Sequence, residues 1–313
     1  MKVLVLGAGA MGGYYGARFI QSGASVDFLV RAQRAKHLAK HDLVVRSDLA
    51  PSRIRISTTV QIGPDDTFDL VLLACKSYDL EQAMEAIAPA VERGALVLPI
   101  LNGLAVYDRL DTRFGRDRIL GGVSYIATML EKTGEIVHMG THDKLVIGAR
   151  TEAQVAVAKK LHGLLANDVG IRVLSDNIEQ ELWDKWAMLS AGAAVTCLLR
   201  GNVGEIMHVG GGPALMTQAI NECADVARSS GQGLSETTLT QIRGRLLDPN
   251  STWAASMMRD IQQDAPRLEA DDIVGDMLDR AANYGQIAPT LHAAYCHLQV
   301  YAIRHSHSTR PNV

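Results

Sequence analysis

Two charged side chains fall where a helix should be apolar, and both are types that move protons or hold charge. In Glu179-Gln-Glu-Leu-Trp-Asp-Lys-Trp-Ala-Met-Leu189, the residues Leu182, Trp186, Leu189 and Ala193 recur at helical spacing and mark a buried stripe. Lys185 lies on that stripe, and an unpaired ammonium is costly to bury. Either its stem packs while the ammonium reaches water, or it faces a cleft and works. The work would suit carbonyl reduction, where negative charge builds on oxygen and an ammonium stabilises it and then donates the proton. The second anomaly is Glu269, one turn before Ile273 on the face marked by Ile273, Met277 and Ala281. Pro266 suits a first helical turn, where Glu269 would complement the helix dipole; its place on an apolar face keeps it a candidate. Ser256, in Trp253-Ala-Ala-Ser-Met-Met258, is a weaker candidate.

A reduction needs a reductant, and the chain opens on a motif for one. The apolar strand Val3–Leu6 runs into Gly7-Ala8-Gly9-Ala10-Met11-Gly12 and then into an amphipathic stretch, Tyr14–Gln21. Strand, glycine turn and helix in that order form a dinucleotide-binding fingerprint. Gly7 makes the turn, Gly9 lets the backbone approach a pyrophosphate, and Gly12 lets helix and strand pack closely. The pyrophosphate would sit on free N–H groups at the positive end of the helix. The second strand ends in Arg31, with Arg34 following, where NAD sites usually carry an acid. An arginine there suits the 2′-phosphate of NADP, or is an ordinary surface charge. Lys76 and Asn102 follow later strand ends, where ligands of an open parallel sheet bind. Asn102 would contact cofactor ribose or substrate, and Lys76 would offer charge to an anionic ligand; both also fit polar loop tips.

The elements that must position these residues come in two blocks. Apolar runs at Lys2–Leu6, Ser25–Val30, Leu70–Ala74, Ala95–Pro99 and Ile119–Gly122 alternate with helical patterns such as Asp79–Val91, as in a parallel sheet covered on both faces. Val123–Ala149 reads as a hairpin about Glu131-Lys-Thr-Gly134; a helix near Glu152–Asn167 and a strand at Ile171–Leu174 follow. After Asn177 only helices are expected, broken at Gly201–Asn202, Gly210–Pro213, Gly231–Gly233, Asp248–Asn250 and Gly285–Pro289. The expected fold is α/β, a Rossmann-type dinucleotide-binding domain over residues 1–175 and an all-helical domain over 176–313. His305–Val313 reads as a frayed polar tail.

Bulk properties narrow the function. The 313 residues are 47% hydrophobic with a net charge of −3, which gives no reason to expect nucleic acid or an anionic membrane as partner. No apolar run approaches a membrane span, and the N-terminal run is taken up by the glycine motif rather than by a signal peptide. Cys75, Cys197, Cys223 and Cys296 lack metal or redox spacing and read as reduced, mostly core thiols of a cytoplasmic protein. His138 and His142 flank a Gly-Thr turn rather than sharing a helix face, so no metal is expected.

These pieces resemble one family, the ketopantoate reductases (2-dehydropantoate 2-reductases), over essentially the whole chain. The resemblance rests on GAGAMG at 7–12, Arg31, Lys76, Leu-Asn-Gly at 101–103, Glu-Leu-Trp-Asp-Lys at 181–185, Ala-Ser-Met-Met-Arg-Asp at 255–260 and Glu-Ala-Asp-Asp-Ile-Val-Gly at 269–275. It implies NADPH-dependent reduction of 2-ketopantoate to pantoate, on the path to pantothenate and coenzyme A, in a cleft between a Rossmann and a helical domain. It implies Lys185 as general acid, Glu269 holding the catalytic geometry, and Ser256 and Asn102 contacting substrate. Three positions depart from the family pattern. Leu189 stands where an asparagine usually binds substrate, Val274-Gly275 replaces the usual Asn-Gly, and the Ser256–Glu269 segment is one residue longer. A different or more apolar 2-oxo acid therefore stays open as substrate. So do a β-hydroxyacid dehydrogenase relative and, as another class, a non-enzymatic NADPH sensor. A homodimer is possible through the helical half.

Overall fold

The computed structural model describes residues 1–308 and divides them into two compact units. The first comprises Met1–Leu101 and Val106–Glu181, the second Asn102–Ala105 and the chain from Leu182. The division falls after Glu181, and the four residues Asn102–Ala105 group with the second unit.

The first unit is built on an all-parallel sheet. β1 (Lys2–Leu6) pairs with β2 (Ser25–Leu29) and β6 (Leu70–Leu73); β2 continues to β5 (Ser57–Thr59) and β6 to β7 (Leu96–Pro99). The order β5-β2-β1-β6-β7 reverses direction at β1, so the switch point lies past the carboxyl ends of β1 and β6. The strands read as unbroken apolar runs because both faces are covered: Val3, Leu4, Val5 and all of Leu70–Leu73 are fully buried. Helices α1 (Ala10–Gln21), α2 (Ala32–His41), α3 (Leu80–Glu92) and α4 (Ala105–Phe114) connect or flank these strands.

Ile119–Gly122 is not a strand of this sheet. Only Ile119 bridges to Val97, and from Gly121 the chain enters a second sheet. There β8 (Gly121–Leu130) and β9 (Ile136–Gly148) form the hairpin expected around Glu131–Gly134. β9 also pairs with β10 (Ile171–Ser175) and with β3 (Leu43–Arg46), which takes β4 (Ser52–Ile54). The strands β3, β4 and β5 escaped the sequence reading because they hold three or four residues with no alternation long enough to recognise. Tyr14 and Tyr15 tie α1 to this sheet, both donating to the buried carboxylate of Asp143 (2.9 and 3.1 Å), which Arg172 neutralises at 2.6 Å. A charge this buried is tolerable only with such partners. α5 (Val155–Leu164) precedes β10. On β9, His138 Nδ1 shares a hydrogen with Ser47 Oγ at 2.8 Å.

The second unit is helical: most of α6 (Ile178–Leu199), then α7 (Val203–Met207), α8 (Gly212–Ser229), α9 (Glu236–Leu246), α10 (Ser256–Gln262), α11 (Asp276–Asn283) and α12 (Pro289–Ser308), with breaks at the expected glycine and proline sites. Leu182, Trp186, Leu189 and Ala193 are buried, and so are Trp183, Ala187, Ala191, Ala194 and Val195, so α6 is wrapped on nearly every side. Its small residues Ala191–Ala194 permit that; a Cβ on Gly192 would stand 2.7 Å from the Trp253 ring. His305–Ser308 continue α12, and the rest of the expected tail lies outside the described residues. Cys197 and Cys223 are buried, Cys75 is half-buried and Cys296 is exposed. No described helix is long and apolar enough to cross a membrane.

Candidate active site

In the first unit, Gly7 takes a left-handed conformation (φ +87°) to turn the chain from β1 into α1. A Cβ on Gly12 would stand 2.3 Å from the carbonyl oxygen of Gly7, so only glycine lets the helix begin so close to the turn. A Cβ on Gly9 would meet nothing within 4 Å, and no side chain caps the start of α1. The loop therefore offers open space above Gly9 beside N–H groups without intrahelical partners, the requirements for a phosphate at a helix N-terminus. A dinucleotide pyrophosphate fits these residues. Ala8 is buried, and Met11 Sδ accepts from Thr128 at 3.3 Å, so the loop's side chains point into the protein while its backbone remains available.

The two arginines after β2 behave differently. Arg31 is mostly exposed, with only long contacts to Asp79 and Gln82 (3.5 and 3.4 Å), and is available to a ligand. Arg34 is half-buried and donates to two backbone carbonyls, those of Ala8 (3.1 and 2.8 Å) and Gly134 (3.1 Å twice). Nothing in the spacing of Arg34 after Arg31 points to this grip. The signal was a cation in the first turn of a helix, where the dipole favours an acid. Lys76 is half-buried just past β6, at the switch point of the sheet.

The second unit brings together Lys185, Asn102 and Glu269. Lys185 Nζ donates to Asn102 Oδ1 at 3.1 Å. Burial pulls the lysine down to about 8 from its ordinary value, and the Glu269 carboxylate partly opposes that shift. Glu269 itself is buried at 4% exposure. It does not sit in a helical turn opened by Pro266, as its sequence context suggested. It immediately precedes the helix, and its carbonyl accepts from Ile273 N at 3.1 Å, beneath a π-helical turn over Asp271–Gly275. That wider turn frees the Ile273 carbonyl, which accepts from both Trp186 Nε1 (3.1 Å) and Ser190 Oγ (2.7 Å) on α6. Asn102 is brought close because Gly103, at φ +90°, packs where a Cβ would stand 2.4 Å from the Asp272 carbonyl oxygen. The π turn thus holds both the loop carrying Asn102 and the helix carrying Lys185. Sequence reading missed it because a π turn leaves no periodicity. Ser256 opens α10 and is half-buried. Leu189, one turn beyond Lys185, is buried and apolar, as is Val274.

The family model described as ketopantoate reductase PanE/ApbA matches residues 3–152, and its C-terminal counterpart matches residues 177–302. This chain belongs to the ketopantoate reductase family. It is 30% identical to the uncharacterized oxidoreductase YkpB of Bacillus subtilis, over 96% of this chain and 99% of that protein. Among solved structures, a PanE/ApbA family ketopantoate reductase from Ralstonia eutropha is 27% identical with a TM-score of 0.85, covering 98% of this chain and 100% of its own. A D-mandelate dehydrogenase solved with NADH and anilino(oxo)acetate shares the fold at a TM-score of 0.88 and 22% identity, covering 98% of this chain and 99% of its own. The chain is an oxidoreductase, and the non-enzymatic sensor is set aside.

Proposed function

We propose that this chain reduces a 2-oxo acid to the 2-hydroxy acid with NADPH, and that Lys185 is the general acid. When bound, the nicotinamide supplies the hydride equivalent that this chain's residues lack. Gly7, Ala8, Gly9, Ala10, Met11 and Gly12 hold its pyrophosphate, and Arg31 meets the 2′-phosphate. The observation that carries the assignment is Lys185 itself, a half-buried ammonium aligned by Asn102 with a buried carboxylate, Glu269, nearby.

The chemistry follows from that arrangement. As a ketone carbon is reduced, its oxygen gains negative charge. An ammonium in a partly desolvated site stabilises that charge more strongly than it would in water. Lowering the lysine to about 8 also brings it near working pH, which favours proton donation while keeping it protonated at neutrality. Asn102 accepts one ammonium hydrogen and fixes the direction of the others. Glu269 keeps positive charge on Lys185 despite burial. Lys76 and Ser256 are candidates for the substrate carboxylate. The apolar Leu189 on the same face of α6 offers no hydrogen bond to a substrate side chain. The family's name points to 2-ketopantoate as the first substrate to assay.

Steady-state NADPH oxidation with 2-ketopantoate and a panel of 2-oxo acids tests the reading. Lys185→Ala should lower turnover by about 10²–10⁴, the usual worth of a placed acid, with the NADPH Kd unchanged. Full turnover in that variant refutes the mechanism.

A further inference from the structure

Arg34 combines three features that are individually unfavourable. It is a cation in the first turn of α2, where the dipole disfavours positive charge. It is half-buried, and burial pulls its guanidinium below the usual arginine value. Among the described residues no carboxylate pairs with it; its partners are the carbonyls of Ala8 and Gly134. Hydrogen bonds to carbonyls satisfy its donors but leave its charge uncompensated.

Its two anchors are unequal. Gly134 lies in the tight turn between β8 and β9, where Glu131 N donates to the Glu135 carbonyl at 2.9 Å and Arg46 pairs with both glutamates. That turn is a fixed post. Ala8 is the second residue of the glycine loop. A carbonyl oxygen facing a bound phosphate would repel it, whereas the loop's N–H groups attract it. Arg34 draws the Ala8 carbonyl onto itself and bridges it to the post, which settles one peptide plane of the loop before any ligand arrives.

We infer that Arg34 is a positioning residue for the cofactor pyrophosphate: it orients the Ala8 peptide and supplies a positive charge that the bound diphosphate neutralises. The inference rests on the nicotinamide-cofactor reading above. It divides the labour of the two arginines. Arg31 would recognise only the 2′-phosphate, and Arg34 would serve NADPH and NADH alike.

Equilibrium binding of NADPH, NADH and adenosine 2′-monophosphate to the wild-type chain, Arg34→Ala and Arg31→Ala tests this. In Arg34→Ala both dinucleotides should weaken together by about 10-fold or more, the worth of hydrogen bonds to a charged group, with the mononucleotide unchanged. Arg31→Ala should weaken NADPH and the mononucleotide but spare NADH. Unchanged dinucleotide affinity in Arg34→Ala, or loss confined to ligands bearing the 2′-phosphate, overturns the inference. Should Arg34→Ala fail to fold, Arg34→Lys decides: it keeps the charge but cannot span both carbonyls. An equal, smaller rise in both Kd values supports the role, and wild-type values overturn it. A wild-type chain that binds neither dinucleotide refutes the underlying cofactor reading as well.

Discussion

The glycine loop of the first unit and the Asn102 loop of the second solve the same packing problem in different ways. At Gly12 a helix starts against the carbonyl of Gly7; at Gly103 a loop rests on the carbonyl of Asp272. In both, a backbone approaches another backbone more closely than any Cβ allows. The first contact is local, so the residues on both sides of it lie in one short motif next to a recognisable strand and helix. The second joins distant parts of the chain, and its partner is a π turn without periodic signature. A local constraint is therefore legible in sequence, while a long-range one leaves a single glycine that looks like any loop residue.

Beyond the loss at Lys185, the sharpest way to break this comparison is to add one methyl to each side. Gly12→Ala should cost about 10²-fold or more in NADPH affinity, because the start of α1 must move, and misplacements near 1 Å carry penalties of that size. Gly103→Ala should cost about as much in kcat with the NADPH Kd preserved, because it displaces Asn102 from Lys185. Isothermal titration beside steady-state kinetics separates the two; equal effects of either variant on both quantities would end the division. A smaller effect sharpens the cofactor side. Arg31→Ala should weaken NADPH by about 1.5–3 kcal/mol, as for a hydrogen bond to a charged group, and leave NADH nearly untouched. Equal losses for both cofactors would remove the 2′-phosphate role.

The extent to which the fold could be read follows the same rule. Buried parallel strands announce themselves as apolar runs, and the helical half is punctuated by Gly, Pro and Asn at its breaks. Strands β3, β4 and β5 did not, since each carries polar residues that break the apolar run and is too short to show a period. Of the second sheet, the hairpin and the strand at Ile171–Ser175 were legible, but not their pairing with each other or with β3, which is set by tertiary contacts. At the site, Lys185 and Glu269 stood out as charges on apolar faces, and that anomaly needed no partner to be seen. The Trp186 and Ser190 grip on Ile273, and the Arg34 grip on Ala8, were invisible because each ends on a backbone carbonyl, which every residue carries.

The central claim is that Lys185 delivers the proton, and the pH dependence of kcat/KM for 2-oxo acid reduction tests it most directly. Burial lowers the lysine, so its protonated, active form prevails below about 8 and is lost above it. The rate should be level at neutral pH and fall about tenfold per pH unit once Lys185 deprotonates. The reverse oxidation should instead rise toward the same midpoint. A reduction profile that stays level well into the alkaline range, or a break that persists in Lys185→Ala, would contradict the account.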